Sequence, residues 1–356
     1  MPPSMSVIVC SFNGAVGLDR CLRALNAQTA RPALEIIVVD DGSTDATSAV
    51  AREHDVILVR HEVNKGIAVG RNSGVRQATA PLIGFLDDDC EPESTWAEHL
   101  IENFTENMIA LGGELAAGGR TGFMRGYLSR HNPLHPQELE LDGGSSLPYR
   151  FWLYLRRQWQ FSVREGQRDV FSIPAANLSI RRQDFLHVGG FDERIHFAGE
   201  DEDLCRRLRL AFPGRRLVYL PVAQVVHHFN LAPTDTLRRR RAYGRGAAFM
   251  FRKWPSIPPT VFPWPVAVLL ALVFSTVYPD CLAIAALLPQ LLYPQGLRGT
   301  VTGRGVACLI DPYLQLAEES WADLGFVEGL WRFRRLQPEP VVPLHGATGA
   351  AAAERG

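Results

Sequence analysis

Lysine is almost missing from this 356-residue chain, with Lys65 and Lys253 the only two, and arginine carries nearly all of the basic charge. Neither sign of charge is in excess. Lys and Arg number 37 against 38 Asp and Glu, so no global field draws the chain to nucleic acid. There is no C-x-x-C pair. The six cysteines, Cys10, Cys21, Cys90, Cys205, Cys281 and Cys308, are scattered and read as reduced, buried thiols of a cytosolic compartment. The N-terminus shows no basic leader followed by an apolar stretch and a small-residue cleavage site, so no export signal is expected. After the first apolar run, where a dinucleotide-binding dehydrogenase needs G-x-G-x-x-G, the chain reads Ser11-Phe12-Asn13-Gly14-Ala15-Val16-Gly17, which excludes that class. The glycine-rich, lysine-bearing loop expected near the N-terminus of a nucleotidyltransferase is absent as well.

What is present is an alternation of short β-branched runs with helical patterns, the sequence form of a mostly parallel α/β sheet. Strands are expected at 6–10, 36–39, 56–59 and 82–86. Leu18, Cys21, Leu22 and Leu25 fall on one helical face, and 67–78 reads as a further helix. In such sheets ligands bind beyond the carboxyl ends of strands. Polar clusters stand there: Ser11-Phe12-Asn13, then Asp40-Asp41-Gly42-Ser43, then Asp87-Asp88-Asp89. Three like charges at the mouth of a buried strand repel one another, which suits a divalent cation among them; the alternative is a solvated acidic turn. For Asp40 and Asp41 the alternative is an Asx-type turn capping the next helix.

The strings SVIVCSFNG, EIIVVDDGSTDAT, NKGIAVGRNSG, GFLDDDCEP, NLSIRRQDFLHVGGFDE and GEDEDLCRRL, in this order over about residues 5–230, resemble the family 2 glycosyltransferases of GT-A fold. The resemblance implies an inverting transferase of hexosyl type, moving a sugar from a nucleotide-diphospho-sugar to an acceptor hydroxyl. It implies Asp89 as a ligand of Mn²⁺ or Mg²⁺, with Asp87 and Asp88 facing the ribose or metal-bound water. Asp41 then contacts the nucleotide base, with Ser11 and Asn13 lining its pocket. Arg71 approaches the nucleotide side, where a guanidinium suits a pyrophosphate or a carboxylate partner. Asp201 is implied as the base that takes the acceptor's proton and Glu200 as its neighbour that holds acceptor or positions it; helix capping is the competing reading of this acidic run. His227 is implied as a second metal ligand, with His228 as its alternative, because adjacent strand residues point to opposite faces.

Arg238-Arg239-Arg240-Arg241 has no interleaved aromatics, so anionic headgroups or the donor pyrophosphate suit it better than nucleic acid. The Q-x-x-R-W motif of the family's processive members is absent, which argues for addition of a single sugar. The stretch 261–278 is uncharged and a second apolar run covers 281–293. With Arg252 and Lys253 before and Arg298 and Arg304 after, it reads as an apolar helical hairpin that spans, re-enters or lies on a membrane, or as a buried helical pair. Expected domains are a GT-A catalytic domain over 1–235 (donor half about 1–115, acceptor half about 116–235), a basic helix, hairpin and amphipathic tail over 236–336, and a disordered 337–356. Tyr149, Phe151, Trp152, Tyr154 and Trp159 mark the region where acceptor contacts are expected. The composite expectation is an enzyme of polysaccharide biosynthesis at the cytoplasmic face of the plasma membrane, acting on a lipid-linked or cell-envelope glycan. A different nucleotide-dependent α/β enzyme and a non-catalytic sugar-nucleotide-binding scaffold are the alternatives.

Overall fold

The computed structural model describes residues 2–119, 121–139, 146–159, 166–301 and 305–339. The β-branched runs become parallel strands β1 (Met5–Ser11), β2 (Leu34–Asp40), β3 (Ile57–Arg60) and β4 (Leu82–Asp87), in spatial order β3-β2-β1-β4. Every residue of β1 is buried, as a strand covered on both faces requires. Helices α1 (Ala15–Asn26), α2 (Thr47–Arg52) and α3 (Ile67–Gln77) make the crossovers, and α1 buries the four residues of its stripe, Leu18, Cys21, Leu22 and Leu25. On α3 a Cβ at Gly74 would lie 2.4 Å from Ile8, so this helix lies with its backbone against the sheet.

The sheet continues through β5 (Cys90–Pro92), β6 (Met108–Ala117), β7 (Gln137–Glu138), β8 (Arg168–Ser172), β9 (Asn177–Arg181) and β10 (Arg216–His227). The order beyond β4 is β9-β6-β10-β8-β7, with β5 pairing the end of β10. Strand β9 is antiparallel to both β4 and β6, which makes the sheet mixed. Helices α4 (Trp96–Asn103), α5 (Phe123–Arg130), α6 (Leu147–Trp159), α7 (Arg182–His187) and α8 (Glu200–Ala211) complete this part.

The remaining helices are α9 (Pro233–Lys253), α10 (Pro263–Ser275), α11 (Cys281–Leu292), α12 (Gln295–Val301) and α13 (Asp311–Arg332). Glycines bring α9 and α13 into backbone contact: a Cβ at Gly244 would lie 1.9 Å from the Ala322 carbonyl oxygen, and one at Gly325 2.1 Å from that of Arg241. Arg240 and Arg241 donate across the same seam to Glu318 (2.7 Å) and Glu328 (2.9 Å), so half of the arginine run holds two helices together.

Of the readings of the apolar hairpin over 261–293, the one in which it spans a membrane is not supported. Helices α10 and α11 have 13 and 12 residues, about 20 Å each, against about 30 Å of hydrocarbon to cross. Among the described residues no helix is long and apolar enough to cross a membrane. Proline sets the lengths: α10 starts at Pro263, Pro279 lies in the turn, and Pro289 sits near the end of α11. Arg304, the Trp159 side chain and residues 340–356 of the expected disordered tail lie outside the described residues.

Candidate active site

Register places the polar clusters side by side. Ser11 is opposite Asp40 across β1 and β2, and Cys10 is opposite Asp87 across β1 and β4. Strand order reverses at β1, the position where open α/β sheets leave a crevice. The Ser11 hydroxyl hydrogen-bonds Asp88. Asn13, at φ 53°, a left-handed conformation asparagine tolerates, accepts from the Thr44 backbone N–H (2.8 Å) and donates its own to Ser43 (2.9 Å). Asp40 closes its turn by accepting from the Ser43 N–H (2.8 Å). Buried Asp41 turns instead to the loop after β3, accepting from His61 Nδ1 (2.6 Å) and from the backbone N–H groups of Lys65 (3.0 Å) and Gly66 (2.8 Å). Its carboxylate therefore shapes the 61–66 loop. Nothing in the linear sequence marked His61 as its partner.

Arg71 joins the two ends of the site. Its Nη2 donates to Asp87 (2.7 Å) and its Nη1 to Glu200 (2.7 Å), a residue 129 positions later. The guanidinium is buried, and the two carboxylates raise its pKa against the desolvation that would lower it. Glu200 and Asp201 open α8 directly after Gly199, which is left-handed at φ 95°. Gly246 of α9 packs on this turn; a Cβ there would lie 2.4 Å from the Ala198 carbonyl oxygen. Asp201 accepts from the Glu202 N–H (2.8 Å) and, at 3.3 Å, from the Ala175 N–H. Burial, then the Glu200 charge, pushes Asp201 up to about 7, opposed by Arg71. Asp203 is held elsewhere, by Lys253 (2.6 Å), Arg207 (2.8 Å) and the Trp254 indole (2.9 Å).

The third part is the turn after β4. Pairing of β5 with β10 sets Cys90 opposite His227 and so brings His227 beside Asp89, with Nε2 3.4 Å from Oδ1. His228 turns the other way, to Glu91 (2.9 Å). Burial pushes the His227 pKa down to about 4, leaving a neutral imidazole, and its buried Nδ1 has no hydrogen-bond partner among the described residues. Burial, then the charges of Asp87 and Asp88, pushes Asp89 up to about 8, while burial raises Asp88 to about 6 against the Ser11 hydrogen bond. Crowded carboxylates, of which Asp89 keeps its proton at neutral pH, beside a neutral imidazole are a donor set that a divalent cation fits. Cys90 Sγ is within 4.8 Å of both groups, but its pKa is raised well above the ordinary thiol value, first by burial, so it stays a thiol.

Residues 6–160 match the family model described as glycosyl transferase family 2, and residues 148–294 match that of glycosyl transferase family group 2. The chain carries a family 2 glycosyltransferase domain. A pre-mycofactocin glycosyltransferase of Mycobacterium tuberculosis is 31% identical over 264 residues, covering 69% of this chain and 48% of the relative. The N-acetylglucosaminyl-diphospho-decaprenol L-rhamnosyltransferase of the same species is 28% identical over 242 residues, covering 64% and 77%. The chain thus spans about half the length of the first of these relatives, 48%. In fold it is similar to a mannosyltransferase from Pyrobaculum calidifontis solved with GDP-Man and Mn²⁺, at TM-score 0.56 and 17% identity, covering 93% of this chain and 88% of that one.

The glycosyltransferase domain opens onto a cavity of about 1010 Å³. Asp87, Arg71, Glu200 and Asp201 line one side; Phe151, Tyr154, Phe171 and Tyr243 are among the residues around the rest. Of the aromatics named from the sequence for acceptor contacts, Phe151 and Tyr154 line this space, whereas Tyr149 and Trp152 are not among its lining residues. The wall supplied by 256–263 had no sequence signal, because it comes from beyond the family strings; for α9 the arginine run was the signal.

Proposed function

We propose that this chain is an inverting, metal-dependent, non-processive glycosyltransferase that moves one sugar from a nucleotide-diphospho-sugar to a hydroxyl of a lipid-linked or cell-envelope glycan. The observation that carries the reading is Arg71, which bonds Asp87 of the strand-end cluster and Glu200 of the α8 turn at 2.7 Å each. It binds the donor half, about 1–115, and the acceptor half, about 116–235, into one site.

Asp89 and His227 would hold Mn²⁺ or Mg²⁺, which when bound stabilises negative charge on the diphosphate as a Lewis acid. Ser11, Asn13 and the loop ordered by Asp41 surround the nucleoside. Asp87 and Asp88 face the ribose side. Asp201, in the cavity and pushed up to about 7, is suited to take the acceptor's proton at neutral pH. Glu200 fixes it through charge and through Arg71. Displacement from the face opposite the leaving group inverts the anomeric carbon, and no acid partner is needed for a diphosphate that already leaves well.

The membrane enters this reading as a surface. On α10 and α11 Leu269, Val273, Phe274, Leu282, Leu287 and Leu291 are 57–69% exposed, an exposed apolar patch of the kind that meets a membrane surface, here at the cytoplasmic face. The test of the donor reading is a thermal-shift screen of UDP, GDP and dTDP and their sugars with Mn²⁺ or Mg²⁺, followed by EDTA. A ligand at a hundredfold over its Kd stabilises the folded state by about 2.7 kcal/mol. One nucleotide is expected to raise Tm with metal and to lose most of that shift with EDTA. No shift with any nucleotide sinks the reading.

A further inference from the structure

Helix α9 passes the site, and its four consecutive arginines separate. Arg238 pairs with Asp235 (2.6 Å), Arg240 with Glu318 (2.7 Å) and Arg241 with Glu328 (2.9 Å). Arg239 lies instead over the Phe229 ring, its guanidinium carbon 4.9 Å from the centroid. That ring is stacked in turn on His227 at 4.1 Å. One turn on, Tyr243 lines the cavity together with Asp87, Glu200 and Asp201. Its hydroxyl lies in the fields of Arg239 and Arg240 and of Asp201 and Glu200. Residues four apart share a helix face, so this face of α9 runs from the Asp89–His227 corner to the Asp201 corner.

We infer that this face of α9 is a wall of the donor site, with Arg239 binding the diphosphate and the Tyr243 hydroxyl donating a hydrogen bond to it. The inference rests on the donor reading above. Charge argues for it. Asp87, Asp88, Asp89, Glu200 and Asp201 crowd the site, and Arg71 is already held by two of them. A diphosphate entering there needs more positive charge, and a guanidinium offers a planar pair of N–H donors matched to phosphate. During transfer the bond from the sugar's C1 to the β-phosphate oxygen breaks, and its electron pair stays on that oxygen. The acceptor oxygen bonds to C1 and its proton passes to Asp201. Charge therefore appears on the departing phosphate, where fixed donors stabilise it most. Burial, first of all, pushes the Tyr243 pKa up to about 12, so its hydroxyl keeps the proton it donates.

Calorimetric titration with UDP, GDP and dTDP, each with Mn²⁺, identifies the nucleotide that wild type binds. That diphosphate and the matching nucleoside are then titrated into R239A, R239K, R238A and Y243F. R239A is expected to weaken the diphosphate about tenfold to a hundredfold, the scale of a hydrogen bond to a charged group, and to leave nucleoside affinity within about twofold. R239K should recover part of the loss, Y243F should lose less than R239A, and R238A should match wild type. Equal diphosphate affinity in wild type and R239A overturns the inference, and so does parallel loss of nucleoside and diphosphate. Absence of binding of all three diphosphates to wild type instead overturns the donor reading on which it rests.

Discussion

At the scale of single residues, position 201 combines two properties that pull apart. Asp201 must be ionised to accept a proton, yet burial and Glu200 push it up to about 7. On the proposed role, kcat/KM should rise about tenfold per pH unit below that value and level off above it, provided acceptor and donor do not titrate there. Asp201→Asn should lower kcat by about a hundredfold to ten-thousandfold while nucleotide affinity stays near wild type; equal loss of both removes the base assignment. The same residue gives a stability check. A carboxyl raised above its unfolded value disfavours folding once ionised, so its contribution declines as pH climbs from the unfolded pKa towards about 7. Asn carries no such charge, and the variant's Tm at pH 8 should equal or exceed that of wild type.

At the scale of elements, the seam between α9 and α13 decides where the site's far wall stands. Gly325 has no room for a side chain, since its Cβ would lie 2.1 Å from the Arg241 carbonyl oxygen. Gly325→Ala must separate the helices, and a cost of about 1–3 kcal/mol is expected from such overpacking. Urea unfolding measures it. Because Gly246 seats the turn before Glu200 against the same α9, the variant should also lose activity in excess of its loss of folded population. Unchanged kcat in the folded fraction would separate the seam from the site.

Across the whole molecule, the exposed apolar faces of α10 and α11 are the largest departure from an ordinary surface. Removing everything after 260 would also remove α13, the partner of α9, so truncation does not isolate the membrane question. Substitution does. The triple variant Leu269→Ser, Phe274→Ser, Leu287→Ser is expected to keep its fold and nucleotide binding and to lose flotation with liposomes rich in anionic lipid, since each buried CH₂ contributes about 0.8 kcal/mol. Undiminished flotation would contradict the interfacial surface.

Much of the donor half was legible in the chain because its signals are local. A buried parallel strand needs a β-branched run, a crossover helix needs its stripe, and the acids after β2 and β4 follow directly on the strands that aim them. The pairing partners of those acids were not legible. Arg71 meets Glu200 across 129 positions, and His227 reaches Asp89 only because β5 pairs with β10; pairing between distant segments leaves no periodic trace. The arginine run shows the same limit. Four identical residues in a row could not tell that one braces the helix start, two brace α13, and one lies over Phe229 beside the Asp89–His227 corner. The apolar run over 261–293 misled for a third reason, since hydropathy counts residues whereas proline decides how many of them join one helix.

The sequence by itself determined the family resemblance, the α/β class with its four parallel N-terminal strands, and which strand ends carry carboxylates, because short-range patterning and ordered motifs are properties of the chain. Only the tertiary structure decided that Asp41 faces a loop, that Arg71 bridges the two halves, that Asp201 and Tyr243 share a cavity, and that α10 and α11 are too short to span. Those are distances between residues far apart in the chain, and packing alone sets them.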